Sequence, residues 1–180
     1  MRVKIEDTLF CLVDVQEKLF PHIGNNQDLL RTLPILVKGF KTLQVPIVVN
    51  EQYKKGIGET IEPLKELVSE YTAYEKTTFS GCQTPQILEV LKNSGKKNII
   101  VAGIETHVCV LQTCIDLIEN GFNVILVTNC CGSRSKNDHK MAIKRLIQAG
   151  VVPTTYESIL FELTLDAKNP NFKAISSLIK

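Results

Sequence analysis

Short apolar runs rich in β-branched residues alternate with helical patterns along the whole chain, and this alternation constrains the fold most. Several of the runs are apolar nearly throughout, as in parallel strands that are covered on both faces. The pattern predicts an α/β fold, a doubly wound, Rossmann-like three-layer sandwich with a mostly parallel sheet. The predicted strands are residues 8–13, 46–50, 74–76, 98–102, 123–127 and 152–155.

The segments between these strands are predicted helices with readable ends. Thr84 is predicted to cap a helix that has Pro85 in its first turn and ends at Gly95. Helices at about 108–120 and 137–149 are each followed by a glycine and then by the next strand. Because parallel strands need crossover connections, we expect these helices to cover both faces of the sheet.

Length and composition predict one domain, residues 1–180, with an ordinary globular core. Hydrophobic residues make up 44% and charged residues 22% of the 180 residues. The net charge is +2 with scattered basic residues, so nucleic acid is not an expected partner. The densest basic stretch, 134–145, is interpreted as the polar face of a helix. The first apolar run is too short for a signal peptide or a spanning helix, so no membrane partner is expected.

The six cysteines lie mostly in apolar segments, which favours buried free thiols over disulfides. Free thiols in turn favour a cytoplasmic location. There is no CxxC pair, and the three histidines lack the spacing of metal ligands, so neither a metal nor another cofactor is expected. The adjacent Cys130 and Cys131 are interpreted as core packing residues, and a thiol redox role is the alternative.

Three chemically capable side chains follow predicted strands. Asp14 comes after the first strand, Lys76 after the third and Cys109 after the fourth. In such a sheet, ligands bind outside the carboxyl ends of the strands near the switch in strand order. The fold could therefore bring a carboxylate, an ammonium and a thiol together.

Each of these residues also has an interpretation without catalysis. Cys109 is predicted near a helix start, where the helix dipole would lower the pKa of the thiol, but it could equally pack like Cys114. Asp14 could accept a proton or simply cap a turn. Lys76 could orient the other two charges or form a surface ion pair with Glu75.

Four segments resemble the isochorismatase-like cysteine hydrolases, especially their small single-domain branch. They are LVDVQ at 12–16, EKTTFSG at 75–81, AGIETHVCVLQTCIDLIENGFNVILVTNCCGSR at 102–134 and YESILFELTLDAKNPNFKAI at 156–175. The third is highly specific, because five of its residues fall at the family's spacing: Gly103, Thr106, Cys109, Val110 and Thr113.

The resemblance implies a six-stranded sheet and a triad in which Cys109 attacks, Asp14 transfers protons and Lys76 is the electrostatic partner. It also implies a cis peptide bond between Ile104 and Glu105, with the amides of Glu105 and Cys109 forming an oxyanion hole. The residues on the loops expected to line the substrate pocket are Gln16, Phe20, Glu51, Gln52, Phe79, Ser80, His107 and Val108.

The chain also departs from the family in ways that limit its chemistry. Nicotinamidases of the family hold a metal on an Asp-x-His after the second strand, where this chain has Asn50-Glu51-Gln52. Isochorismatases that cleave a vinyl ether lack the cysteine nucleophile, so Cys109 argues against that reaction. Where the family commonly has Asp-Ala after the fifth strand, this chain has Asn129-Cys130.

These departures favour a metal-independent hydrolase whose partner is a small molecule with an amide-like carbon–nitrogen bond. An interaction module that keeps an unused active site is the alternative. Members of the fold often associate, so a homo-oligomer is expected. The apolar segment 158–165 could lie partly exposed in such an assembly, although a buried terminal helix or strand is favoured.

Overall fold

A six-stranded sheet runs through the centre of the computed structural model, which describes residues 1–180. The strand order is β3-β2-β1-β4-β5-β6, and every neighbouring pair is parallel. This confirms the predicted α/β class and its parallel sheet. The strands are β1 (Thr8–Val13), β2 (Ile47–Gln52), β3 (Ala73–Lys76), β4 (Asn98–Ile104), β5 (Asn123–Gly132) and β6 (Val152–Thr154).

The chain has eight helices, of which seven cover the two faces of the sheet, while α2 is a single turn that follows β2. Helices α1, α3, α7 and α8 pack together on one side, while α4, α5 and α6 cover the other. The helices are α1 (Asn26–Thr42), α2 (Lys54–Ile57), α3 (Glu62–Val68), α4 (Pro85–Asn93), α5 (Leu111–Glu119), α6 (Lys136–Gln148), α7 (Tyr156–Thr164) and α8 (Phe172–Ile179). None of them is long and apolar enough to pass through a membrane.

The two central strands, β1 and β4, are buried along their full length, which explains their continuous apolar sequences. From β1 the chain builds outward to β2 and β3, and from β4 it builds in the opposite direction to β5 and β6. The strand order therefore switches between β1 and β4. In a doubly wound sheet this is the place where a binding crevice forms.

Some element ends differ from the sequence-based expectation. Thr84 precedes α4, but its side chain makes no capping bond, because its hydroxyl bonds the Thr78 hydroxyl at 3.0 Å. The helix expected at about 108 begins with a π-helical turn, Thr106–Val110, before α5. Strand β5 extends to Gly132 because its pairing with β4 resumes after an irregularity that periodicity does not reveal.

The apolar segment 158–165 lies mostly in a helix, α7, with a buried face, as the sequence favoured, but α8 follows it and is the terminal helix. In α7 the side chains of Ile159, Leu160 and Leu163 are buried, and the helix packs against α1 and β5. Leu160 lies directly against Gly39 of α1, where a side chain larger than hydrogen would overlap it. Leu165, just beyond the helix, is 71% exposed.

Candidate active site

Asp14 and Cys109 lie on the two sides of the switch point. Asp14 directly follows β1, and Cys109 lies in the π-helical turn after β4. Asp14 has a left-handed backbone conformation, with φ 51°, which Asp tolerates better than most residues. Lys76 is the last residue of β3 and reaches inward toward them. All three side chains are buried, so the fold brings together the residues that the sequence singled out.

Lys76 and Asp14 form a fully buried ion pair. Lys76 Nζ lies 2.7 Å from Asp14 Oδ2, and neither side chain is exposed to solvent. The ammonium has three further oxygen neighbours: Gln52 Oε1 at 2.6 Å, Phe79 O at 3.1 Å and Thr78 O at 3.2 Å. A buried ammonium needs such partners, because leaving it unpaired in the interior is strongly unfavourable. The alternative for Lys76, a surface ion pair with Glu75, is therefore not what the structure shows.

The thiol of Cys109 interacts with both members of this pair. Burial raises the pKa of Cys109 to about 12, the negative charge of Asp14 adds to the rise, and Lys76 opposes it. The expected lowering of the pKa by a helix dipole is therefore wrong. Cys109 is the fourth residue of its turn rather than the first, and desolvation outweighs any favourable dipole there. Cys109 therefore keeps its proton at neutral pH.

The two oxygens of the Asp14 carboxyl have different surroundings. Its Oδ2 binds Lys76, while its Oδ1 is buried and accepts no hydrogen bond of good geometry. Burial raises the pKa of the Asp14 carboxyl, and the charge and hydrogen bond of Lys76 work against that rise. A carboxyl with a raised pKa is better matched to taking up and returning a proton near neutral pH.

The turn that carries Cys109 is tied to the segment after β5. Arg134 forms a paired contact with Glu105, with Nη2 at 2.7 Å from Oε1, and its backbone N–H donates to Oε2 at 3.0 Å. Burial opposes ionisation of Glu105, but Arg134 outweighs it and holds the pKa of this carboxyl below its usual range. The His107 ring lies 3.0 Å from the Ser133 hydroxyl.

Thr106, the first residue of this turn, connects the turn to α6. Its hydroxyl donates to the carbonyl of Gly132 at 3.0 Å and lies 2.9 Å from Nδ1 of His139. Because the hydroxyl has only one proton, it must accept from His139, which places the imidazole proton on Nδ1. Burial lowers the pKa of His139, which favours this neutral form.

The backbone of the turn includes the cis peptide bond that the resemblance implied, between Ile104 and Glu105. The N–H of Glu105 donates to no backbone or side-chain acceptor. Its carbonyl accepts from the amides of Val108 and Val110, which closes the turn around Cys109.

Three of the expected pocket residues have their polar atoms bound elsewhere in the chain. Gln16 donates to the carbonyls of Gln52 and Gly58 and accepts from the Gln52 N–H. Glu51 Oε1 accepts from the backbone and hydroxyl of Thr60 at 2.7 and 2.8 Å. Gln52 binds Lys76 and the carbonyl of Thr77. These residues organise the loops beside the triad.

The other expected pocket residues differ in exposure. Phe79 is 53% exposed, while its carbonyl binds Lys76. Ser80 is buried and its hydroxyl accepts from the Cys82 N–H at 3.2 Å. Phe20 is buried in the core, and Val108 packs partly against the core. Phe79 is thus the side chain of this set that is freest to meet a ligand.

Sequence reasoning missed Arg134 and His139 as supports of the turn that carries Cys109. Both lie in the basic stretch that was interpreted as the polar face of a helix, and His139 does belong to α6. Arg134 contacts a residue 29 positions earlier in the chain. No local spacing pattern relates two residues so far apart, so only the fold could show the contact.

One of the two largest cavities adjoins β5, and Cys109 is not among the residues that line it. Its volume is about 520 Å³, and its walls include Asn25, Arg31, Asn129, His139 and Tyr156. A second cavity of equal volume is lined by residues 75–78 and 83–86, which include Lys76. Asp14, Lys76 and Cys109 form a buried cluster, in which Cys109 is 5% exposed.

The open parallel sheet, with polar residues gathered at its switch point, places the molecule in the doubly wound α/β class, and its fold is that of the isochorismatase-family hydrolases. The isochorismatase domain family matches residues 8–158. The chain belongs to this family.

Similar proteins agree with that assignment. Isochorismatase family protein 1A from Dictyostelium discoideum is 40% identical over 95% of this chain and 85% of its own length. The MAR1 ribonuclease structure from Caenorhabditis elegans is 37% identical, with a TM-score of 0.93 over 99% of this chain and 92% of that one. The YcaC gene product of Escherichia coli, an octameric hydrolase of unknown specificity, shares the fold at 24% identity, with a TM-score of 0.95 over 99% of this chain and 89% of that one.

Proposed function

We propose that this chain is a metal-independent cysteine hydrolase that cleaves a small amide-like carbon–nitrogen bond through an acyl-enzyme on Cys109. One observation carries the proposal: the Cys109 thiol interacts with the Asp14 carboxyl, whose buried Oδ1 accepts no hydrogen bond of good geometry, while Lys76 neutralises the other oxygen. A buried acceptor next to a protonated nucleophile is the arrangement that general-base activation needs.

In the first half of the reaction, the thiol proton moves to Asp14 Oδ1 as sulfur bonds to the substrate carbonyl carbon. The π electron pair of the carbonyl moves to its oxygen and gives an oxyanion, which the backbone amides of Glu105 and Cys109 would stabilise. When the oxyanion collapses, the carbon–nitrogen bond breaks, and the departing nitrogen takes the proton from Asp14. The products are a free amine or ammonia and a thioester on Cys109.

In the second half, Asp14 accepts a proton from water as the water oxygen attacks the thioester carbonyl. Collapse of the second oxyanion breaks the carbon–sulfur bond, and the sulfur recovers its proton from Asp14. The net reaction consumes one amide and one water and yields one acid and one amine. No covalent bond of Lys76 forms or breaks. Its ammonium stabilises the negative charge that passes between Asp14 and Cys109.

The burial of Cys109, which is 5% exposed, supports a small substrate. The Caenorhabditis elegans relative is named a ribonuclease, but a buried Asp–Lys–Cys cluster suits a small acyl compound better than an RNA strand. The raised pKa of Cys109 favours one alternative, an interaction module whose active site is used weakly. The octameric YcaC supports a homo-oligomer for this chain. Light scattering of the purified protein tests that assembly.

A screen of small amides tests the hydrolase proposal. The proteins to compare are wild type, Cys109→Ala and, as the matched control, Cys114→Ala, which removes a buried thiol from the neighbouring helix. We expect turnover in wild type and in Cys114→Ala, none in Cys109→Ala, and an acyl adduct on Cys109 in intact-protein mass spectra. Full turnover by Cys109→Ala would falsify the mechanism. An RNA substrate in the same panel tests whether this chain acts as a ribonuclease, as the name of the Caenorhabditis elegans relative indicates for that protein.

A further inference from the structure

Lys76 holds its position because of a side chain that the proposed chemistry does not use. The two shortest contacts of its Nζ are Gln52 Oε1 at 2.6 Å and Asp14 Oδ2 at 2.7 Å. The carbonyls of Thr78 and Phe79 lie farther away, at 3.2 and 3.1 Å. An ammonium has three protons, so Gln52 provides one of the two strongest contacts of the buried cation.

Gln52 itself is fixed from three directions. Its side-chain amide Nε2 donates to the carbonyl of Thr77 at 2.8 Å, and only the nitrogen end of the amide can do so. The oxygen end must therefore face Lys76. The backbone of Gln52 is bound on both sides by Gln16, at 2.7 and 2.9 Å. The amide oxygen is thus held in place before any substrate arrives.

We propose that Gln52 is a positioning residue of the hydrolase, which holds the Lys76 ammonium between Asp14 and Cys109 so that it can stabilise the charge shared by them. The inference rests on the proposed function, in which Lys76 is the electrostatic partner of the triad. Gln52 touches no reacting atom and acts only through Lys76.

A neutral oxygen is required at this position. A glutamate there would add a second carboxylate to the same ammonium, and that carboxylate would repel both Asp14 and a thiolate on Cys109. It would also face the carbonyl of Thr77 with an acceptor instead of a donor. Other ionisable groups already act on this network: Glu51 repels the Asp14 carboxylate, and the Cys11 thiol responds to both Asp14 and Lys76.

Alkylation of Cys109 by iodoacetamide tests the inference without a known substrate. The variants are Gln52→Met, which keeps the length and loses the oxygen, and Gln52→Glu, which keeps the shape and adds a charge. The control is Thr32→Val, which loses a buried hydrogen bond to the carbonyl of Asn129 on the α1 side of the sheet. Rates are measured at Cys109 by peptide mass spectrometry between pH 7 and 10.

We expect both Gln52 variants to react about tenfold more slowly at each pH, because a rise of one unit in the thiol pKa reduces the thiolate tenfold. Thr32→Val should react like wild type although it is less stable. Wild-type rates and pH profiles in both Gln52 variants would overturn the inference. That result is separate from retained turnover in Cys109→Ala, which overturns the proposed function, and Gln52→Met alone suffices if Gln52→Glu does not fold.

Discussion

Lys76 Nζ and Asp14 Oδ2 are 2.7 Å apart, although 62 residues separate them in the chain and neither side chain reaches solvent. A buried ion pair contributes little net stability, because the attraction mainly offsets the desolvation of the two charges. Removing one partner is strongly destabilising, because the remaining charge is then buried without a counter-charge.

We therefore expect Lys76→Met to cost about 3 to 5 kcal/mol of unfolding free energy. Adding Asp14→Asn should restore much of that loss, because Asn removes the unpaired charge and tolerates the left-handed backbone at φ 51°. Both single variants and the double variant should be inactive. Urea denaturation at neutral pH measures the cycle, and additive losses in the double variant would contradict the pairing.

Arg134 should stabilise the turn that carries Cys109 through its contact with Glu105. Arg134→Gln leaves the carboxylate 5% exposed and without its main partner, so we expect a loss of about 1 to 2 kcal/mol. The control is Arg31→Gln, whose partner Asp28 is exposed; its cost should stay below about 0.5 kcal/mol.

The pH dependence of this pair has a definite sign. Arg134 holds the pKa of Glu105 below its usual range, so the stabilisation is complete above the unfolded pKa of about 4.3. It is lost as the pH falls below that value. Urea midpoints of wild type and Arg134→Gln should therefore converge between pH 5 and pH 3, and a constant gap would argue against the assignment.

The buried thiols should make the protein sensitive to alkali. Burial raises the pKa of Cys11, Cys82, Cys109 and Cys131 to about 12, and that of Cys114 well above its usual value. An unfolded chain releases these protons above about pH 8.5, whereas the folded chain keeps them. Folding stability should therefore fall as the pH rises from about 8.5 through 12, by up to about 1.4 kcal/mol per pH unit for each thiol.

Cys114→Ala provides the test of this linkage. The substitution should lower the free energy of unfolding at neutral pH. Above pH 8.5 the decline of that free energy with pH should be shallower than in wild type, by the contribution of about one proton. Unfolding free energies at pH 8, 9 and 10 give the two slopes. Equal slopes would show that Cys114 does not hold its proton more tightly in the folded state.

Gly103 should be irreplaceable at the switch point. It pairs with Val13 and has φ 133°, and a Cβ there would overlap the carbonyl oxygen of Val13. We expect Gly103→Ala to cost about 3 kcal/mol or more, because backbone must move. Gly95→Ala is the control: it also has a positive φ, 67°, but open space around it, so its cost should be about 1 kcal/mol. Thermal unfolding distinguishes the two.

Much of the fold could be predicted from local patterns. Continuous apolar runs identified β1 and β4, and glycines after the helical segments marked the crossovers. The positions of Asp14, Lys76 and Cys109 after strands placed them at one edge of the sheet before any contact was known. Strand ends were less well predicted, because the last residues of β5 are polar or small and pair through an irregular register.

The sequence by itself therefore determined the α/β class, the parallel sheet, the family resemblance and the three residues at the strand ends. Only the tertiary structure decided how those residues are charged and supported. Burial raises the pKa of Cys109, Gln52 shares the ammonium of Lys76, and Arg134 fixes the turn through Glu105. The physical reason is that desolvation and long-range contacts depend on which distant segments surround a side chain, and no local pattern contains that information.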